Sequence, residues 1–232
     1  MDRLLAVTGG ASGIGLGIAD AARAAGWRVA VADRTPAEGV TVLDVTDAAA
    51  VANWIDGLKG LCGVVCSAGI SAATPALDTA PELFRRILDV NVTGSFLVAQ
   101  AAAKAMVAGG KGGSIVLVAS VSGLRGIQDR LAYGASKAAV INMAQVLAID
   151  LARHGIRANA LCPAPFETPM VTKLHDAETR AQWHSRIPAA RYGRVGEVAQ
   201  AALFLLDEAR SSYITGHALP VDGGYAGAGV MA

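Results

Sequence analysis

Short, almost wholly apolar runs alternate with longer stretches of helical spacing along the whole chain, and this alternation limits the possible folds more than any other feature of the sequence. The β-type runs fall at 4–8, 28–33, 40–44, 63–67, 114–120, 157–162 and 218–221, with helical candidates between most of them. The runs lack strict apolar/polar alternation, so each is expected to be covered on both faces, as in a parallel sheet. Strands alternating with helices give a doubly wound α/β domain with helices flanking the sheet. One connection is short. Only residues 34–39 separate the second run from the third, whereas a parallel crossover ordinarily takes a dozen or more residues and a helix. The prediction is a shortened crossover without a helix, with one sheet face thinly covered near its edge.

At 232 residues and 53% hydrophobic, the chain is long enough for one large core. No composition break, repeat or linker divides it, so 1–232 is taken as a single domain. A net charge of +1 with scattered Lys and Arg offers no basic stripe for nucleic acid. Mean hydropathy is +0.43, but no uninterrupted apolar run approaches membrane-spanning length, so the value is assigned to a buried sheet and no membrane association is expected. The opening M-D-R-L-L-A-V-T-G-G leads directly into a strand without a charged leader and apolar segment. Cys62, Cys66 and Cys162 lie in apolar segments and are expected to be buried free thiols, and a reducing cytoplasm is the expected location. The four histidines, His154, His175, His184 and His217, show no metal-binding spacing and are assigned to surface or loop positions.

The first strand runs into T-G-G-A-S-G-I-G, which includes Gly9, Ser12, Gly13, Ile14 and Gly15 and opens a helix near Gly13. Glycines there let the backbone approach a pyrophosphate, whose charge is met by the helix start. Asp33 ends the second strand about twenty residues on, where a carboxylate accepts bonds from ribose hydroxyls and repels a 2′-phosphate. Arg34 is the one nearby cation that would favour the phosphate; on balance the expected cofactor is NAD. Asp44, followed by Val45, is placed at the end of the third strand, either beside the adenine or as a helix-capping residue.

Tyr133 and Lys137 occupy Y-G-A-S-K, four residues apart on one helix face. Making a tyrosine phenolate available at neutral pH requires a pKa drop of about three units, or about 4 kcal/mol. An ammonium about 4 Å away supplies a similar amount at an effective dielectric of about 20. The pair is therefore a candidate proton donor and acceptor.

T-G-G-A-S-G-I-G, Ser120 thirteen residues before Tyr133, Y-G-A-S-K, and V-D-G-G near the C-terminus together resemble the short-chain dehydrogenase/reductase family over essentially the whole chain. The resemblance implies a Rossmann-type domain with a seven-stranded parallel sheet, NAD(P)-linked alcohol/ketone chemistry and a homotetramer. It also implies a tetrad. Tyr133 would be the acid/base, Lys137 would lower its pKa and hold the nicotinamide ribose, Ser120 would orient the substrate, and Asn91 of D-V-N-V-T-G would hold a water behind Lys137. Ser122 competes with Ser120, and Asn91 would otherwise be a capping residue. Ser67, Ala68 and Gly69 after the fourth strand, and Pro163, Phe166 and Thr168 after the sixth, match positions that line the cofactor.

Two departures stand out. Ser67 replaces the asparagine that usually braces the fourth strand, and Ala164 takes the place of a glycine, with a methyl group expected to crowd the nicotinamide. The polar segment 168–191, with Met170, Leu174 and Trp183, is expected to form a lid. Arg125, Gln128, Asp129 and Arg130 offer groups for a polar small-molecule substrate such as a polyol, sugar or hydroxy acid. A carrier-linked 3-oxoacyl reductase and a non-catalytic NAD-binding sensor module are the alternatives. The small faces of helices expected at 98–107 and 138–151 suit packing between subunits.

Overall fold

A computed structural model describes residues 3–227. Seven strands, β1 Leu4–Thr8, β2 Arg28–Asp33, β3 Val40–Val42, β4 Leu61–Cys66, β5 Gly113–Val118, β6 Ile156–Pro163 and β7 Ala218–Val221, form one sheet in the order β3-β2-β1-β4-β5-β6-β7. Every neighbouring pair is parallel. The helices are α1 Gly13–Ala24, α2 Ala48–Asp56, α3 Pro81–Leu88, α4 Ser95–Gly109, α5 Leu131–Leu151, α6 Pro169–Leu174, α7 Ala177–Arg186, α8 Val195–Leu206 and α9 Glu208–Ser211.

Successive side chains of each strand go to opposite faces and build two cores. Leu4, Ala6, Val64, Ile115 and Leu117 pack beneath α2, α4 and α5. Leu5, Val7, Val65, Val116 and Leu161 pack beneath α1 and α8. Burial on both sides explains why the central strands are mostly apolar; all eight residues of β6 are buried, including Arg157 and Asn159, which donate to the Ile214 carbonyl. The stretches 81–109 and 131–154 are apolar and long enough for a membrane span by composition, yet each packs a face against the sheet.

The crossover at 34–39 has no helix, as expected from its length. Its absence is felt on the α1 side, where Val42 faces the same way as Asp33 in the register and is 60% exposed. The expected strand 40–44 stops at Val42. Asp44 leaves the ladder because its carboxylate accepts bonds from the Thr46 N–H at 2.9 Å and the Thr46 hydroxyl at 2.8 Å. The strand expected at 114–120 likewise ends at Val118, although the Ala119 N–H still donates to the Leu161 carbonyl at 2.8 Å. Between α3 and α4 the helix widens into a π turn over Asp89–Gly94, which carries Asn91. Such a turn re-aims side chains at functional sites.

Candidate active site

A cleft of about 320 Å³ opens at the carboxyl ends of the strands. It lies where the chain order reverses, between β1's two neighbours, β2 and β4. One end is the glycine-rich turn. Gly9 has φ +68°, and a Cβ there would stand 2.6 Å from the Ala68 amide nitrogen, so only glycine lets the β1 and β4 loops approach this closely. Ser12 precedes α1 without a side-chain capping bond, and the first turn of α1 contains no acidic residue. The resulting cradle of N–H groups and positive helix end fits a pyrophosphate.

Gly9, Ser12, Gly13, Ile14, Gly15, Asp33, Asp44, Val45, Ser67, Ala68, Gly69, Tyr133, Lys137, Pro163 and Thr168 all line this cleft. The structure brings together residues from seven separate stretches. Asp33 already holds the turn in place, accepting from the Ala11 N–H at 3.1 Å and the Thr35 N–H at 2.9 Å. Asp44 lies just past the strand rather than in it. A backbone bond from Thr46, with a smaller contribution from Arg34, holds its carboxyl below the usual range. Asp47, and not Asp44, caps α2, accepting from the Ala49 and Ala50 N–H groups. Arg34, Thr35, Leu43, Ile70, Val90 and Met170 line the cleft too. Apart from Arg34, already noted for its charge, these supply surface or loop contacts that no motif marks.

Tyr133 and Lys137 project from the first two turns of α5. The lysine ammonium donates to the Val118 carbonyl at 2.8 Å and lies 5.6 Å from the centre of the tyrosine ring. Burial lowers the Lys137 pKa to about 8. Burial also raises the Tyr133 phenol above its ordinary value, opposed by a hydrogen bond with Ser120 and by the charge of Arg130. Desolvation dominates at the phenol, and Arg130 is a second cation beside Lys137 near it. Ser120 is 6% exposed and follows β5. Its hydroxyl interacts with Tyr133 and accepts from the Ser122 N–H at 3.1 Å, so Ser120 rather than Ser122 meets the phenol.

Asn91 is fully buried. Its Oδ1 accepts from the Ile70 N–H at 2.8 Å, and its Nδ2 donates to the Ile70 carbonyl at 3.0 Å and to Ser136 Oγ at 2.9 Å. Ser136 in turn donates to the Tyr133 carbonyl at 2.7 Å. The asparagine amide therefore ties the loop after β4 to α5, with both amide hydrogens engaged. This also answers the Ser67 departure, because Asn91 braces the same loop from the other side.

Phe166 departs from expectation. Its ring is 3% exposed within the core beneath α1 and α8, packed against Gly193, and does not line the cleft. An apolar ring following β6 gains more from that core than from a solvated cleft. Ala164 is also absent from the cleft wall, so its methyl group does not crowd it. Arg125 is committed elsewhere, donating to the Ala226 carbonyl at 2.6 and 2.9 Å. Cys66 and Cys162 are buried thiols, and the partly buried Cys62 thiol donates to the Leu4 carbonyl at 3.5 Å.

The expected lid consists of α6 and α7. Thr168 caps α6 through the Val171 N–H, and Glu167 grips Arg180 of α7 at 2.9 and 3.1 Å. Here His175 corrects the surface assignment: it is 9% exposed and pairs with the Tyr192 hydroxyl at 2.8 Å. No sequence pattern marks it, since its partners lie 17 and 45 residues away.

A family model described as enoyl-(acyl carrier protein) reductase matches residues 9–226. The chain is similar to a 2,5-dichloro-2,5-cyclohexadiene-1,4-diol dehydrogenase of Sphingobium indicum, at 36% identity, with 96% of each chain covered. A 3-oxoacyl-acyl-carrier-protein reductase of Mycobacterium bovis is 38% identical, with 97% of this chain and 93% of the relative covered. Among solved structures, a short-chain type dehydrogenase/reductase from Mycobacterium ulcerans superposes with a TM-score of 0.92 at 34% identity, covering 97% of this chain and 90% of that one. With the seven-stranded parallel sheet, the glycine-rich cradle and the Ser120–Tyr133–Lys137 cluster, these likenesses establish that the chain belongs to the short-chain dehydrogenase/reductase family.

Proposed function

We propose that this oxidoreductase, which acts at an alcohol/ketone centre, uses NAD(H), with Tyr133 as acid/base and Asn91, Ser120 and Lys137 as its supporting groups. The observation that carries the reading is that Tyr133 and Lys137 line a cleft whose other end is an anion cradle, with the buried Ser120 hydrogen-bonded to the Tyr133 phenol. The turn at Gly9–Gly15 would hold the pyrophosphate, Asp33 the adenosine ribose, and Tyr133 and Lys137 the nicotinamide ribose. Bound there, the nicotinamide supplies the hydride-transfer chemistry.

The protein's own part is proton transfer and placement. Tyr133 takes the hydroxyl proton in oxidation and returns it in reduction, while Ser120 fixes the reacting oxygen. In the free protein the phenol is held above its ordinary pKa, so it suits donation at neutral pH, and proton abstraction strengthens as pH rises. Lys137, with a pKa near 8, can exchange its own proton close to neutrality.

Asp33 supports NAD over NADP because a 2′-phosphate would meet its carboxylate. The same point disfavours the carrier-linked 3-oxoacyl reductase alternative, which is expected to prefer NADPH. A homotetramer is supported by the exposed apolar residues of α4 and α5: Phe96 and Val107 on one, Val146 and Ile149 on the other. Three reduced thiols support a cytoplasmic location. Tyr133→Phe is the direct test: loss of at least 1000-fold in kcat with NADH binding retained is expected. Wild-type-like turnover by Tyr133→Phe overturns the role of Tyr133. Tight NADH binding by wild type without turnover of any alcohol or ketone favours the sensor module.

A further inference from the structure

We infer that Arg130 reads an anionic group on the substrate, so that the preferred alcohols are hydroxy acids and not neutral polyols. This deepens the dehydrogenase reading above and rests on it.

Arg130 stands at the start of α5, three residues before Tyr133, and so shares its helix face. The guanidinium is partly buried, and all of its bonds go to neutral acceptors: Ser71 Oγ at 2.9 Å, the Ala72 carbonyl at 3.5 Å and His175 Nε2 at 3.4 Å. Among the described residues it forms no ion pair. The charges it feels without forming an ion pair are, in order, the Tyr133 phenol when ionised and the Asp129 carboxylate. A desolvated cation without a counter-charge is costly, and proteins rarely keep one without a use.

The surroundings fix where the guanidinium points. A guanidinium only donates, so His175 Nε2 must accept and His175 is neutral, with its proton on Nδ1 facing the Tyr192 hydroxyl at 2.8 Å. The imidazole stacks on Trp183, centroids 6.2 Å apart. From the other side, Asp129 adopts φ +59°, a left-handed conformation unusual for a non-glycine residue, and its carbonyl accepts the Thr74 N–H at 2.8 Å. The chain thus holds a strained turn directly before Arg130, as functional sites often do. Of the five guanidinium N–H donors, those not directed at these three acceptors are available to a planar, forked anion, and a carboxylate matches that geometry.

The test uses matched alcohols that differ only in charge, 3-hydroxybutanoate against 3-hydroxybutanamide and lactate against lactamide, with NAD. Wild type should favour the acid of the better pair by at least 30-fold in kcat/KM. Arg130→Gln, which keeps hydrogen-bonding capacity without charge, should lower turnover of both substrates because its charge acts on the Tyr133 phenol, but should cost the acid at least 30-fold more than the amide in kcat/KM, and Arg130→Lys should recover part of that difference. Equal loss on acid and amide would make Arg130 a structural tie between helix and lid and overturn the inference. Should Arg130→Gln not fold, inhibition of the wild-type enzyme decides: butanoate should inhibit at least tenfold more strongly than butanamide, and equal inhibition overturns the proposal. Turnover of neutral alcohols alone sinks this inference and leaves the dehydrogenase reading intact. Absence of turnover on every alcohol sinks the dehydrogenase reading instead.

Discussion

Replacing Asn91 with alanine removes three hydrogen bonds at once, two partly buried ones to Ile70 and a buried one to Ser136. Asn91 is 0% exposed, but Ile70 is only partly buried at the cleft wall, so its two groups take the lower part of the penalty for an unpaired group. Leaving a buried donor or acceptor unpaired costs about 1–3 kcal/mol each, and Ile70 alone would present one of each. Ser136 keeps its bond to the Tyr133 carbonyl and loses less. The expected destabilisation is therefore about 3 kcal/mol. Urea unfolding at fixed protein concentration should show a lower midpoint with an unchanged slope. The functional signature is separate: the loop after β4 and α5 lose their tie, so kcat should fall more than NADH affinity. A loss below about 1 kcal/mol would refute the bracing argument, and normal stability with abolished turnover would return Asn91 to a purely chemical role.

Lys137→Met should stabilise the fold near pH 7, because a lysine whose pKa falls from 10.5 to about 8 on folding pays for burying its charge, about 3 kcal/mol at neutral pH. The sign follows from proton counting. Between about pH 8 and 10.5 the unfolded chain binds more protons at this site, so its contribution to wild-type stability becomes more favourable as pH rises through that window, a slope that denaturant titrations of Lys137→Met should lack. Asp33→Ser should raise kcat/KM with NADP at least tenfold relative to NAD, and should also weaken NAD binding because Ala11 and Thr35 lose their acceptor; unchanged cofactor preference in steady-state assays would contradict it. If the proposed homotetramer packs through the exposed apolar face of α5, Val146→Arg should sediment as smaller species than the wild type while leaving the fold intact by circular dichroism; unchanged sedimentation contradicts that face as the interface.

The order of elements was legible because strands covered on both faces are mostly apolar, whatever lies above them. β1, β2 and β7 coincide with their sequence-read limits, and a six-residue crossover leaves no room for a multi-turn helix and its connections. The glycine-rich turn, Asp33, Ser120, Tyr133 and Lys137 were legible for a related reason: local backbone conformation and fixed helical spacing constrain them, and both are written in adjacent residues. Only the tertiary structure decided the electrostatics. Whether burial or a neighbouring charge dominates the Tyr133 pKa depends on what covers the ring, and burial prevails with Arg130 opposing it. Likewise the Phe166 ring went to the core, Arg125 to the C-terminal segment, and His175 to a buried station between Arg130 and Tyr192. Spacing along the chain fixes which face of a helix or strand a side chain occupies, but solvent exposure and charge partners arise from segments brought together across tens of residues.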